Sequence, residues 1–205
     1  MEDRDVKLVD YLLSHGHTSP FRHAFFTFHI KAPLFTFRQW WKYQVGSTWR
    51  AYGIETGEAV ALRAYDIQID TDQGCSWNEL SGRYKVMEPE FYMPDPWRGN
   101  TGKQAANAVL GEAESAEEAR QYGIFCREAT GRYNAALERG VAKELARLYL
   151  PPTIYSEAIW TVSLQAVLHF LDQRIKPDAQ FEIREYAQGV LELIRPDLNN
   201  MGVTP

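Results

Sequence analysis

The sequence predicts an α+β fold in which helices pack on a mixed or antiparallel sheet, and three observations lead there. Apolar residues recur at helical spacing in several separate stretches, while the stretches near residues 25–31 and 155–162 alternate with a period of two and are rich in aromatic and β-branched residues. The two types are interspersed without the β-α-β rhythm of a doubly wound sheet. A chain of 205 residues buries roughly 70% of the surface its unfolded form exposes, enough for one core. A single domain over residues 1–205 is therefore expected.

Each element has a local cause. Val6, Val9, Leu12 and Leu13 predict a first helix over 3–15, with Gly16 placed to end it. Ser19 before Pro20 reads as an N-cap followed by proline at N1, a short turn of helix leading into a strand from Phe25 to Lys31. Pro33 opens a second helix whose apolar side carries Leu34, Phe37, Trp40 and Trp41, with Arg38, Gln39 and Lys42 between them. From about 46 to 77 glycines break the pattern and Leu62 to Asp70 alternates, which predicts an inserted arm or flap. Pro94 to Asn100 is a loop. Ser115 with Glu118 is a capping-box signature for the longest helix, which runs through Tyr122, Phe125, Ala129, Tyr133 and Leu137 to Gly140. A shorter helix, Val141 to Leu150, stops at Pro151-Pro152. A strand from Tyr155 to Val162, a helix capped by Ser163 to about Gln173, and a last helix capped by Asp178 to about Ile194 complete the chain.

Charge and cysteine count narrow the function. Twenty-two Lys and Arg against 27 Asp and Glu leave a net charge of −5, which disfavours a broad nucleic-acid groove. Two cysteines and no leading apolar h-region argue against a disulfide framework and for a reducing, cytoplasmic setting. No window approaches the ~18 consecutive apolar residues of a membrane span. Of the five histidines only His15 and His17 are close, without the i, i+4 spacing of a helical zinc site, so no metal is expected. Cys126 sits in the long predicted helix as a packed small residue, and Cys75 has no cation or histidine beside it to activate a thiolate.

The densest polar cluster is Asn78-Glu79-Leu80-Ser81-Gly82-Arg83-Tyr84, which looks like a loop. It reads either as a surface turn with an incidental ion pair or as a phosphate cradle, in which Gly82 admits a close anion, Ser81 donates a hydrogen bond and Arg83 makes a bidentate contact. Arg38, Arg147 and Arg174 sit beside apolar runs, where a charge needs a partner.

Two blocks carry a resemblance: His15-Gly16-His17-Thr18-Ser19-Pro20-Phe21 through Phe26 to Pro33 and on to Arg38-Gln39-Trp40, and Asn78 to Tyr84. A third, weaker block runs from Ala146-Arg147 through Trp160-Thr161-Val162 to Phe170-Leu171 and Arg174. Together they resemble the flavin-dependent thymidylate synthases, the ThyX family. The resemblance implies a homotetramer with shared active sites that methylates C5 of UMP or dUMP reductively. Methylenetetrahydrofolate is then the carbon donor, FAD the hydride carrier and NADPH the reductant, with no cysteine nucleophile. It assigns Gln39, Glu79, Ser81, Gly82, Arg83 and Arg147 to the nucleotide. Arg174 is the catalytic residue, facing the pyrimidine and stabilising negative charge at N3 and O2. Ser19, Lys42, Tyr43, Gln44, Glu79, Ser163, Gln165 and His169 fall on the cofactor side.

That side departs from the family pattern. Lys42-Tyr43-Gln44 stand where the family has Arg-His-Arg, Ser163-Leu164-Gln165 stand for Asn-x-Arg, His169 takes the place of an asparagine, and Arg22 replaces a glutamate. A retained pyrimidine side resembles relatives in nucleoside-antibiotic pathways that act on UMP as well as dUMP. The missing arginines leave open an alternative, a non-catalytic nucleotide-binding or regulatory relative without flavin.

Overall fold

The computed structural model describes residues 3–43, 75–100, 102 and 108–203. The predicted arm lies outside these residues up to position 75, as does Gln44. Backbone contacts divide the chain into two compact units: residues 1–29, 40–78 and 159–205 form the first, and residues 30–39 and 79–158 the second. In chain order the elements are α1 (Asp3–Ser14), β1 (Phe25–Pro33), α2 (Leu34–Trp40), β2 (Cys75–Glu79), β3 (Arg98–Gly99), β4 (Ala108–Val109), α3 (Glu112–Glu138), α4 (Lys143–Ala146), β5 (Tyr155–Ser163), α5 (Leu164–Arg174) and α6 (Phe181–Asn200). Short 3₁₀ turns occupy Ser19–Arg22 and Arg147–Tyr149.

Helix ends follow local chemistry. Gly16 takes φ +72°, a left-handed conformation that only glycine adopts without strain. There its N–H reaches the Leu13 carbonyl and the His17 N–H the Leu12 carbonyl, closing α1. Gly140 closes α3 in the same way, onto Leu137 and Ala136. At the start of α2 the carbonyls of Ile154 and Pro152 accept the N–H groups of Leu34 and Phe35, donors that have no partner inside the helix. Ser163 caps α5 as expected, its Oγ accepting the Ala166 N–H at 3.3 Å.

Several boundaries differ from expectation: β1 runs on to Pro33, only Lys143–Ala146 of the expected 141–150 helix is α-helical, and Arg98–Gly99 is strand inside the expected 94–100 loop. Helix α3 begins four residues early because Glu114 reaches back to the Gly111 N–H, while the Ser115 hydroxyl accepts the Trp97 N–H at 3.0 Å and so is not the cap. Helix α6 starts at Phe181, not after Asp178, and runs past Ile194 through Pro196. Burial of Ile194, Leu198 and Val203 outweighs the one backbone bond that a late proline removes. Thr18, not Ser19, precedes the first 3₁₀ turn, and no side chain caps it. Asn78 and Glu79 are strand, not loop, because β2 pairs with β5: the Leu80 N–H donates to the Glu157 carbonyl at 2.8 Å.

Strand β5 is central in the order β1-β5-β2. Thr27 meets Thr161, Phe28 meets Trp160 and Ala24 meets Leu164, so partners run in opposite senses and β1 and β5 are antiparallel. The period of two seen in the sequence is the strand's own pleat, which buries Ser156, Ala158, Trp160 and Val162.

In the first unit the core is aromatic. Trp40 stacks on Phe170 at 4.9 Å, Trp77 on Trp160 at 5.4 Å, and Trp40 meets Trp160 edge-on at 5.4 Å. Ring pairs of this kind are worth about 0.5–1.5 kcal/mol each beyond their burial. The buried indole N–H groups of Trp40 and Trp160 have no hydrogen-bond partner among the described residues. In the second unit the core is helical: Tyr133 and Ala136 of α3 pack with Ala146 of α4, and Met87, Leu137 and Leu150 close over them. Cys126 is buried there, and burial pushes its thiol pKa up, away from nucleophilic use. Among the described residues no helix is long and apolar enough to cross a membrane, and no three His, Cys, Asp or Glu side chains cluster to hold a metal.

Candidate functional site

Within the second unit, β2 delivers Glu79 beside Ser156 of β5, whose Oγ donates to Glu79 Oε1 at 3.0 Å. Burial pushes the Glu79 carboxyl above the usual carboxylate range, against the opposing pull of that hydrogen bond and of the Arg147 charge. Past Leu80 the chain turns. The Ser81 carbonyl accepts the N–H groups of Tyr84 and Lys85, and Ser81 Oγ accepts the N–H of Arg83 at 3.3 Å. A tight turn at the end of a paired strand thus fixes Ser81, Gly82 and Arg83 together.

Gly82 is required for a packing reason. A Cβ there would lie 2.8 Å from Met87 Sδ and 3.6 Å from Arg147 Cδ. The loop therefore rests directly on the Met87 side chain and on the aliphatic stem of Arg147, the first residue of the 3₁₀ turn after α4. Met87 is in turn anchored, its N–H donating to the Tyr133 hydroxyl at 2.9 Å. Two exposed cations, Arg83 and Arg147, flank the turn; Arg83 lies over the Tyr84 ring at 5.2 Å, and Arg147 Nε donates to the Glu144 carbonyl.

A cavity of about 440 Å³ opens on one side of this turn, within the roughly 300–1,000 Å³ of small-molecule sites. Ser81 and Gly82 line it together with Lys31, Glu90, Tyr155 and Ser156. Lys31 Nζ bonds Glu90 at 2.5 Å and lies 5.6 Å from the Tyr155 ring centroid. Sequence reasoning missed these four residues. Ser156 left one trace, a small polar residue on the inward-facing register of a strand.

The remaining candidates belong to the first unit, except Gln39, which sits near the end of α2 in the second. Tyr43 is 7% exposed. Its ring packs on Phe170 at 5.2 Å and on His169 at 5.6 Å, and the Arg174 guanidinium carbon lies over it at 5.1 Å. Arg22 Nε donates to Gln165 Oε1 at 2.7 Å, joining two positions at which the chain departs from the family pattern. Ser19, Lys42 and His169 are exposed, and Ser163 is buried as the cap of α5.

Comparison with known proteins agrees with these blocks. The family described as "Thymidylate synthase complementing protein" matches residues 1–53 and 60–198. The chain is 37% identical over 193 residues to a flavin-dependent thymidylate synthase of Thermus thermophilus, covering 93% of this chain, and 32% identical over 194 residues to that of Thermotoga neapolitana, covering 95%. The chain belongs to the flavin-dependent thymidylate synthase family. It spans 60% of the length of the Thermus relative and 72% of the Thermotoga one. Among solved structures it is similar to the UMP/dUMP methylase PolB from Streptomyces cacaoi, bound with 5-Br UMP. There the TM-score is 0.73 at 25% identity, over 98% of this chain and 84% of that one. As a family member with this likeness, the chain combines helices with an antiparallel sheet, as its sequence predicts.

Proposed function

We propose that this chain catalyses reductive C5-methylation of a uridine 5′-monophosphate, accepting UMP as well as dUMP. The observation that carries the reading is the Ser81-Gly82-Arg83 turn with Arg147 packed against Gly82, because it gathers a hydroxyl and two exposed cations around one tight turn. Family membership and the likeness to a methylase of UMP and dUMP support the same substrate class.

The chain's residues then have distinct tasks. Ser81, Gly82, Arg83 and Arg147 hold the phosphate end, with Gln39 as a further nucleotide contact. Arg174 is the catalytic residue: its guanidinium meets the charge that grows at N3 and O2 as C5 becomes nucleophilic. Glu79, half-buried and with a raised pKa, is the acid between nucleotide and cofactor. Buried Cys126, with its raised pKa, takes no part.

The donor set of the first unit fits FAD. Ser19, Lys42 and His169 are exposed, and Gln165 takes only the Nε–H of Arg22, leaving both Nη groups for an anion. These residues, with Gln44 as a further contact, would hold the cofactor and its pyrophosphate, whereas Ser163, fully buried with its hydroxyl capping α5, is not placed to touch it. When bound, FAD supplies hydride transfer, with NADPH as reductant and methylenetetrahydrofolate as carbon donor. Three large ligands on 205 residues favour a homotetramer with shared sites.

Tritium release from UMP and dUMP labelled at C5, with methylenetetrahydrofolate, FAD and NADPH present, tests the reading. Release from both is expected, and none from either overturns it. The buried Tyr43, at a position where the family has a histidine, favours a second reading as a nucleotide-binding relative. Protein that stays colourless with added FAD yet melts higher with UMP would support that one.

A further inference from the structure

Tyr43 and Arg174 come from distant parts of the sequence and meet in the first unit. Tyr43 follows α2 by three residues; Arg174 is the last residue of α5, where a cation also meets the favourable end of the helix dipole. The Arg174 guanidinium carbon sits 5.1 Å from the Tyr43 ring centroid, inside cation–π range. The ring itself is immobilised: it is 7% exposed, edge-on to Phe170 at 5.2 Å, and Phe170 is stacked on Trp40 at 4.9 Å. Arg174 Nε is buried and has no hydrogen-bond partner among the described residues. Among the described residues no carboxylate is paired with the group. An arginine held by a ring face rather than by an acid keeps its full charge and its N–H donors for something else.

We propose that Tyr43 is a positioning residue for Arg174, its ring fixing the guanidinium so that the terminal N–H groups are presented to the pyrimidine. This rests on the reading of Arg174 as the pyrimidine-facing arginine. It moves Tyr43 from the cofactor contacts to the support of the nucleotide chemistry. The physical gain is preorganisation. A free arginine side chain must give up its rotamer freedom when the substrate arrives, whereas one already seated on a buried ring has lost it beforehand.

The test keeps the shape of the side chain and changes only the electrons of the ring. Tyr43→Phe keeps the ring face under Arg174 and is the reference from which the series is read. Replacing that phenylalanine with its mono-, di- and trifluorinated analogues, which drain the ring face without changing the packing, should lower kcat/KM stepwise. The whole series should span about 3- to 30-fold, the range of a desolvated cation–π contact. A flat fluorination series overturns the proposal. Tyr43→Leu should match the far end of the series in the parent and cost nothing further on an Arg174→Ala background. Additive losses there would mean that Tyr43 acts on the fold alone and would overturn the proposal as well. The parent enzyme separates the two failures: if it releases no tritium from UMP or dUMP, the methylase reading falls, and if it does while the series stays flat, only the role of Tyr43 falls.

Discussion

The two units hold their candidate residues in opposite ways. In the first, Tyr43, His169 and Arg174 stand on the rim of an interlocked aromatic core, Trp40, Trp77, Trp160 and Phe170, whose rings fix one another. In the second, Ser81, Gly82 and Arg83 sit on a turn of backbone whose glycine is seated on Met87 and the stem of Arg147, beside a core of Tyr133 and two alanines. An aromatic core gives rigidity through area, and each ring in it supports several others. A turn seated on two side chains gives fine placement at little cost in burial, and one added methyl disturbs it.

The largest effect should come from breaking the aromatic side. Trp160→Ala removes a fully buried ring that touches Phe28, Trp40, Trp77 and Phe170. It is expected to destabilise the protein by about 3–5 kcal/mol, read from the urea midpoint. Next come two charges that should separate the ligands. Arg147→Ala should weaken UMP binding about 10- to 100-fold, the worth of a charged hydrogen bond, and leave the flavin absorbance of the purified protein unchanged. Arg22→Ala should do the reverse. If each variant lowers both affinities equally, the division of labour between these residues is wrong.

Gly82→Ala is gentler. The new Cβ must push Met87 Sδ back from 2.8 Å, and a flexible thioether yields at the low end of overpacking costs, about 1 kcal/mol. UMP affinity measured by calorimetry should fall severalfold with little change in the melting temperature. The smallest effect is electrostatic. Because the folded state raises the Glu79 pKa above its ordinary 4.5, the folded protein holds a proton that the unfolded chain has released. The contribution to stability is present below about pH 4.5 and is lost as pH rises through the folded value. Glu79→Gln removes that decline, so the melting temperature of the variant minus that of the parent should grow from about pH 4 to about pH 7. A difference that is flat with pH would count against a half-buried, proton-holding Glu79.

What could be read from sequence was what short stretches decide. Gly16, Gly140 and Ser163 end or cap their helices through bonds to residues within five positions, and the alternation of β5 is its own pleat. The misreadings have distant causes. Ser115 looked like a cap, but its hydroxyl is taken by Trp97 across a loop. Asp178 gave way to Gln180 because Ile183, Ala187 and Leu198 set the register of α6 by burial. Glu79 was read in a loop because the strand that pairs with it lies 77 positions away. In the candidate site the Ser81-Gly82-Arg83 cluster is one local run and stood out. The Tyr43 and Arg174 contact and the Arg22 and Gln165 bond join residues that no local pattern relates.

Met87 touches Gly82 with its sulfur, and its backbone amide is held by the Tyr133 hydroxyl. Whatever steadies the turn therefore steadies an amide one step removed from it. Slower hydrogen exchange at Met87 becomes a remote gauge of occupancy, and removing the Tyr133 hydroxyl from the last third of the long helix would loosen the grip on the ligand.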